Sequence, residues 1–295
     1  MEVGPRDGLQ NEPALIPAAV RVALIENLAG AGLTSIECGS FVSPAKVPQM
    51  ADTASVFSQL RRLPGVTYSA LVPNLKGWEQ AAACKLDEVA VFVAASEQFS
   101  RANINCSVDE SLRRSEEVVH AASLQSIPVR GYVSCVLGCP FAGEIETAAV
   151  ARVAEALHRM GCHEISLGDT IGVGTPLAAQ RMLDAVARVV PLDRLAVHYH
   201  DTWGQALANV LASLEVGIHV IDSSVAGLGG CPFAPGAAGN LATEDLVYML
   251  DGMGIRTGVN LRELAAAGSS ICASLGKRPV SRVAIALESS SQARV

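Results

Sequence analysis

Residues 195–227 read LAVHYHDTWGQALANVLASLEVGIHVIDSSVAG. A β-rich run, LAVHYHD at 195–201, passes into a helical stretch at 204–216. A second β-rich run, HVIDSSVAG at 219–227, follows. Strands rich in Val and Ile that alternate with helices imply a parallel sheet buried on both faces. The same unit recurs outward along the chain. TSIECGS (34–40), VTYSALVP (66–73), EVAVFVAAS (88–96), VRGYVSCVL (129–137) and HEISLGD (163–169) are further strand candidates. Helical stretches are expected near 17–31, where Val20, Leu24 and Leu28 share a stripe, and at 109–124, 147–160 and 176–189. With an apolar stub, EVG at 2–4, the count is eight strands, each followed by a helix. Eight βα units in this length predict an α/β protein, a (β/α)8 TIM barrel. An open doubly wound sheet is the alternative, but no GxGxxG opens the first turn.

The barrel is expected to occupy residues 1–258. Extra C-terminal helices follow over 259–288 (LRELAAAGSSICASLG, then 279–287), with a frayed polar tail at 289–295. The 295 residues are half hydrophobic and only 17% charged, enough to bury a large core. The net charge of −7, with few and scattered aromatics, excludes nucleic acid as a partner. A polyanionic small ligand stays compatible with this balance, because local Arg and Lys can outweigh it. No uncharged apolar run approaches a membrane span. The start has neither the basic nor the apolar region of a secretory signal. The eight cysteines include no CxxC pair, so most are expected to be reduced and buried, as in a cytoplasmic protein. Cys135 and Cys139 are too loosely spaced to argue for a metal.

In such a barrel chemistry sits at the C-terminal strand ends. The unusual polar residues fall there: Arg6 and Asp7 after the first strand, Glu37 in the second, Asp169 ending the sixth. His198, His200 and Asp201 end the seventh, and a glycine loop with Cys231 follows the eighth. Residues two apart in a strand share a face, so His198 and His200 both point into the barrel mouth. An isolated HxH is more often a pair of core histidines. Here Asp7 is the natural third ligand and Asn240 a neutral oxygen donor. Two nitrogens and two oxygens suit Mg²⁺ or Mn²⁺, with Zn²⁺ as the alternative. Arg6 beside Asp7 reads either as a surface ion pair or as a cation that stabilises an enolate oxygen. Glu37, in an apolar strand, needs a partner, and Arg6 is the obvious one. Asp169 is either a helix N-cap or a site carboxylate. The loop GLGGCPFAPGAAGN is either a tight turn or a lid whose Cys231 exchanges protons.

At these residues the chain resembles the 3-hydroxy-3-methylglutaryl-CoA lyase family, metal-dependent lyases with an RDG or DRE-type start. The resemblance runs through VGPRDGLQNE, SFVSPAKVPQM, NINCS, GCPFAGE, SLGDTIGVGTP and HYHDTWGQALAN to VAGLGGCPFAPGAAGNLATEDLVYML. It covers nearly the whole chain. HxHD and RDG are shared with related condensing enzymes and aldolases, whereas the two longest glycine-containing motifs are specific to the lyases. The resemblance implies a divalent cation on Asp7, His198, His200 and Asn240. It makes Arg6 the enolate-stabilising group, Cys231 an acid/base, and His198 a substrate contact, with Asp169 and Glu37 completing the polar network. It implies an acyl-CoA substrate, cleavage to acetyl-CoA and acetoacetate, and a homodimer or higher homo-oligomer. Two departures stand out. Pro13 occupies a position where many members carry lysine, and no cysteine follows Cys272.

Overall fold

Nearly every strand residue is buried in the computed structural model, which describes residues 1–230 and 239–292. Seven parallel strands lie side by side in chain order. They are β1 (Ser35–Ser40), β2 (Thr67–Leu71), β3 (Glu88–Ala94), β4 (Val129–Ser134), β5 (Glu164–Asp169), β6 (Leu195–Tyr199) and β7 (Val220–Asp222). Each falls inside a stretch expected to be a strand. The eighth staves of the barrel shrink to one residue. Glu2 bridges Ile36 of β1 on one side and Ser223, just past β7, on the other. The Glu2 N–H donates to Ser35 O and the Glu37 N–H to Glu2 O, both at 2.9 Å. The Val3 N–H reaches Ser223 O at 2.9 Å. The expected strand at 2–4 is therefore a single ring-closing rung, and the closed barrel, not the open sheet, is the architecture.

The stub is short because the chain turns at once into a π-helical turn, Gly4–Gly8. The Val3 carbonyl accepts from the N–H groups of Arg6, Asp7 and Gly8 at 3.1, 2.7 and 3.2 Å. Pro5, which has no N–H, sits where the turn needs no donor. Gly8 permits the turn to press on the chain after β7. A Cβ there would lie 2.8 Å from Leu228 Cβ.

The helices are α1 (Ala18–Gly30), α2 (Thr53–Gln59), α3 (Leu75–Ala81), α4 (Glu97–Ile104), α5 (Val108–Ser123) and α6 (Thr147–Arg159). After them come α7 (Pro176–Val186), α8 (Ala206–Val216), α9 (Thr243–Gly252), α10 (Leu261–Ser274) and α11 (Arg282–Gln292). Side-chain caps open three of those on the front half: Asn74 accepts from the Gly77 N–H, Ser96 from Phe99 and Ser107 from Glu110. The out-facing strand residues, such as Ile36, Val91, Val133, Leu167 and Val197, are buried against these helices. The in-facing set differs. Leu71, Ala90 and Tyr132 form a small apolar cluster, and beneath it Arg130, Ser166 and Asp222 are wholly buried polar groups. α10 packs on α1 and on the turn at 225–227, and α11 packs on α9 and α10. Among the described residues no helix is long and apolar enough to cross a membrane.

Candidate active site

The 4–8 turn and the end of β6 place their polar side chains at one end of the barrel mouth. Ligand atoms of Asp7, His198 and His200 all lie within 4.8 Å of one another. His198 Nε2 stands 3.9 Å from Asp7 Oδ2, and the two imidazole centroids are 5.3 Å apart. Asn240 joins them through a backbone bridge to His200. Its Nδ2 donates to Asp7 Oδ2 at 2.9 Å and to Leu228 O at 3.1 Å. Gly229, at φ +123°, lets the chain pass this amide, since a Cβ would fall 2.5 Å from Asn240 Nδ2.

That arrangement leaves acceptors idle. Asn240 Oδ1 and His200 Nδ1 are buried with no hydrogen-bond partner among the described residues. Idle buried acceptors cost free energy unless something meets them. Burial, together with His198 nearby, lowers His200 to about 4, so its ring is a neutral lone-pair donor. Burial by itself would raise the Asp7 carboxyl, but Arg6, His198 and His200 hold it below the usual range. One carboxylate and two imidazoles with ligand atoms this close, beside an amide oxygen that has no partner among the described residues, fit a divalent cation.

Arg6 borders this group. Its Nε donates to Glu37 Oε2 and its Nη1 to Asp7 Oδ1, each at 2.5 Å. Its Cζ lies 5.4 Å from the centre of the Tyr132 ring. Desolvation opposes the charge, but Glu37 and Asp7 outweigh it and hold the guanidinium protonated. Nη2 makes no hydrogen bond among the described residues, and Arg6 lines a cavity of about 690 Å³. His198, His200, Phe92, Phe99, Lys46 and Arg114 line the same cavity.

Six of the eight expected site residues thus converge: Arg6, Asp7, Glu37, His198, His200 and Asn240. Asp169 stands apart. Strand parity turns Gly168 to the cavity and Asp169 outward, where its carboxylate accepts from the Val173 and Gly174 amides. Burial raises that carboxyl to about 6. It holds the 172–174 turn and is not a helix N-cap: that position before α7 belongs to Thr175, which makes no side-chain cap bond. Cys231 lies outside the described residues. Tyr132, Arg130, Ser166 and Asp222 also belong to the site, though no motif marks them. Asp222 Oδ2 lies 3.4 Å from His198 Nδ1, and Arg130 grips Asp222 at 2.8 and 3.0 Å. The signal was present: an arginine two residues before a tyrosine in an otherwise apolar strand shares its inward face.

Known proteins similar to this chain share one family. A family model described as HMGL-like matches residues 1–271. The mitochondrial hydroxymethylglutaryl-CoA lyase of Bos taurus is 60% identical over 96% of this chain and 87% of its own length. A Pseudomonas aeruginosa protein named 3-hydroxy-3-isohexenylglutaryl-CoA/hydroxy-methylglutaryl-CoA lyase is 58% identical, covering 97% of this chain and 96% of itself. The crystal structure of hydroxymethylglutaryl-CoA lyase from Pseudomonas aeruginosa superposes with a TM-score of 0.96 at 58% identity, over 98% of this chain and 97% of that one. A family model spanning nine-tenths of the sequence, relatives this similar along nearly their full length, and the ring of Asp7, His198, His200 and Asn240 together make the chain a member of the HMGL-like family.

Proposed function

We propose that the chain is a metal-dependent carbon–carbon lyase that cleaves 3-hydroxy-3-methylglutaryl-CoA to acetyl-CoA and acetoacetate. One observation carries the reading. A cation-fitting donor set and an arginine whose Nη2 has no partner among the described residues line one cavity together with Lys46 and Arg114. Those two side chains suit the anionic end of a CoA thioester. Asp7, His198, His200 and Asn240 would hold Mg²⁺ or Mn²⁺, which when bound lowers the pKa of a coordinated hydroxyl and polarises a neighbouring oxygen.

The reaction is a retro-Claisen cleavage. The C3 hydroxyl loses its proton, the C2–C3 bond breaks, and C3 becomes the ketone carbon of acetoacetate. The electron pair passes to C2 as the enolate of acetyl-CoA, which is then protonated at carbon. Arg6 is aimed at the oxygen where this negative charge develops, and Glu37 and Asp7 fix its plane in advance. His198 also touches substrate in this reading. Cys231, on the loop that begins next to Asn240, is the acid/base that exchanges the proton. Asp169 supports the site from the outward face.

The test is acetoacetate release from 3-hydroxy-3-methylglutaryl-CoA by metal-stripped protein before and after Mg²⁺ or Mn²⁺. Release restored by metal is expected; tight metal binding with no release would remove this substrate. A second reading, a lyase for homologues with a longer 3-substituent, is favoured by one feature. Leu71, Phe92, Phe99 and Ile104 give the cavity an apolar wall, and the Pseudomonas aeruginosa relative's name includes the isohexenyl substrate. The same assay on that thioester compares the two. A cytoplasmic location and a homo-oligomeric state complete the proposal; fractionation and light scattering test them.

A further inference from the structure

His198 stands between two carboxylates of different character. Asp7, on its Nε2 side, borders the cavity. Asp222, on its Nδ1 side, is fully buried in the barrel interior beneath it and does not line the cavity. A carboxylate so placed cannot touch a ligand, so its work must pass through a neighbour.

Its neighbours leave it no freedom. Arg130 Nη1 donates to Oδ2 at 3.0 Å and Nη2 to Oδ1 at 2.8 Å, a two-pronged grip. Ser166 Oγ donates to Oδ2 at 2.8 Å. The third nitrogen of Arg130, Nε, goes to Glu164 Oε1 at 2.6 Å, so the guanidinium is itself held on two sides. Its Cζ lies 4.8 Å from the Tyr132 ring centre. That ring meets the His198 ring edge-on, with centroids 6.3 Å apart. The imidazole is thus walled by an aromatic ring and faced at Nδ1 by the one oxygen that Arg130 and Ser166 share. At 3.4 Å the two atoms face each other without a formed hydrogen bond, and Nδ1 has no other hydrogen-bond partner among the described residues.

We propose that Asp222, gripped by Arg130 and Ser166, is a positioning residue that keeps the proton of His198 on Nδ1 and so presents the Nε2 lone pair toward Asp7. An imidazole that ligates a metal through one nitrogen needs its other nitrogen oriented by an acceptor, and losing that acceptor costs roughly 10–100-fold in metal affinity. The inference rests on the cation site proposed above. It adds that four strands build that site from below: β4 supplies Arg130, β5 supplies Ser166 and Glu164, β7 supplies Asp222, and β6 carries the ligand itself.

The test is Mn²⁺ binding to the stripped full-length protein, read by the electron paramagnetic resonance of free Mn²⁺ and by calorimetry. Asp222→Asn keeps the shape but can offer an N–H to Nδ1, which drives the ring proton to Nε2. Its Kd for Mn²⁺ is expected to rise by roughly 10–100-fold. Ser166→Ala keeps every charge and removes one tether, and its Kd is expected to rise severalfold even if Asp222→Asn does not fold. A folded Asp222→Asn or Ser166→Ala protein with a lowered Tm but an unchanged Kd would mark a purely structural ion pair and overturn the assignment alone. Wild-type protein that binds no Mn²⁺ would overturn the cation site and this assignment with it.

Discussion

Arg6 and Glu37 show how much a single residue's surroundings decide. Glu37 has no solvent exposure, and burial pushes its carboxyl up while Arg6 pulls it back. Arg6→Lys puts one ammonium where a planar fork served two carboxylates and a ligand. kcat is expected to fall by about 10²–10³, the cost of one lost donor to a developing oxyanion. Mn²⁺ affinity should change far less, because the donors of the cation site all remain; steady-state kinetics beside a metal titration separates the two. Cys231→Ser should likewise keep metal affinity and lose most turnover, and equal loss of both would remove it from proton transfer. The Glu37–Arg6 pairing was legible in the sequence, because a carboxylate inside an apolar strand must find a cation. The same logic applied to Arg130 leads to an interior partner, but nothing in the sequence says which carboxylate of a remote strand it meets. In SLGD strand parity turns Ser166 and Gly168 inward, so Asp169 meets the site from the outward face.

At the scale of elements, the turn after β7 is where the ring closure and the glycine loop meet. Glu2 Oε1 accepts from the Val225 amide at 2.9 Å, and both oxygens of Glu244 accept from the Ala226 amide at 2.9 Å. Ala226 is held there in a left-handed conformation, φ +58°. Burial raises Glu2 to about 7 and Glu244 to about 8. A raised carboxyl keeps in the fold a proton that the unfolded chain releases. The stability it contributes is complete below the unfolded pKa near 4.5 and is lost as pH rises through the folded value. His200, lowered to about 4, works in the opposite sense, but only below its unfolded value near 6.5. Between pH 6.5 and 8 the buried Met1 ammonium, lowered from its usual 8.0, opposes the two carboxyls, so the readout is the difference between two proteins. Tm of the wild type is expected to fall more across this window than Tm of Glu244→Gln. An equally steep profile in Glu244→Gln would assign the effect elsewhere. Long periodic elements were legible in the sequence, as β3 and α5 illustrate. The short helices α2, α3 and α4 were not, since seven or eight residues carry too little period to separate from loop. The first strand shrank because hydrogen bonding to Val3 O, not apolar pattern, decides where it turns.

Over the whole molecule, the cation site stitches distant parts of the barrel: Asp7 follows the ring-closing rung, His198 and His200 end β6, and Asn240 precedes α9. Eight βα units made a barrel legible, but closure itself depends on Glu2 reaching both Ile36 and Ser223, which no pattern in a three-residue stub reveals. No short piece of the unfolded chain contains this donor set, so a cation that binds there binds the folded state alone. Such binding adds RT ln(1 + [L]/Kd), about 2.7 kcal/mol at a hundredfold excess over Kd. For a chain of this size that corresponds to a Tm rise of about 5 °C or more. Mg²⁺ is the ion to use, because the eight cysteines and six histidines of the unfolded chain would capture Zn²⁺ and mask the effect. Calorimetry of the stripped protein with and without Mg²⁺ should show the rise, and His200→Ala, which deletes one donor without touching ring closure, should abolish it. If His200→Ala kept the full rise, the stabilising ion would sit elsewhere and His200 would leave the donor set. If wild-type protein showed no rise at saturating Mg²⁺, the idle Asn240 Oδ1 and His200 Nδ1 would need another partner, and the barrel mouth would be held together by Arg6, Asp7 and Glu37 alone.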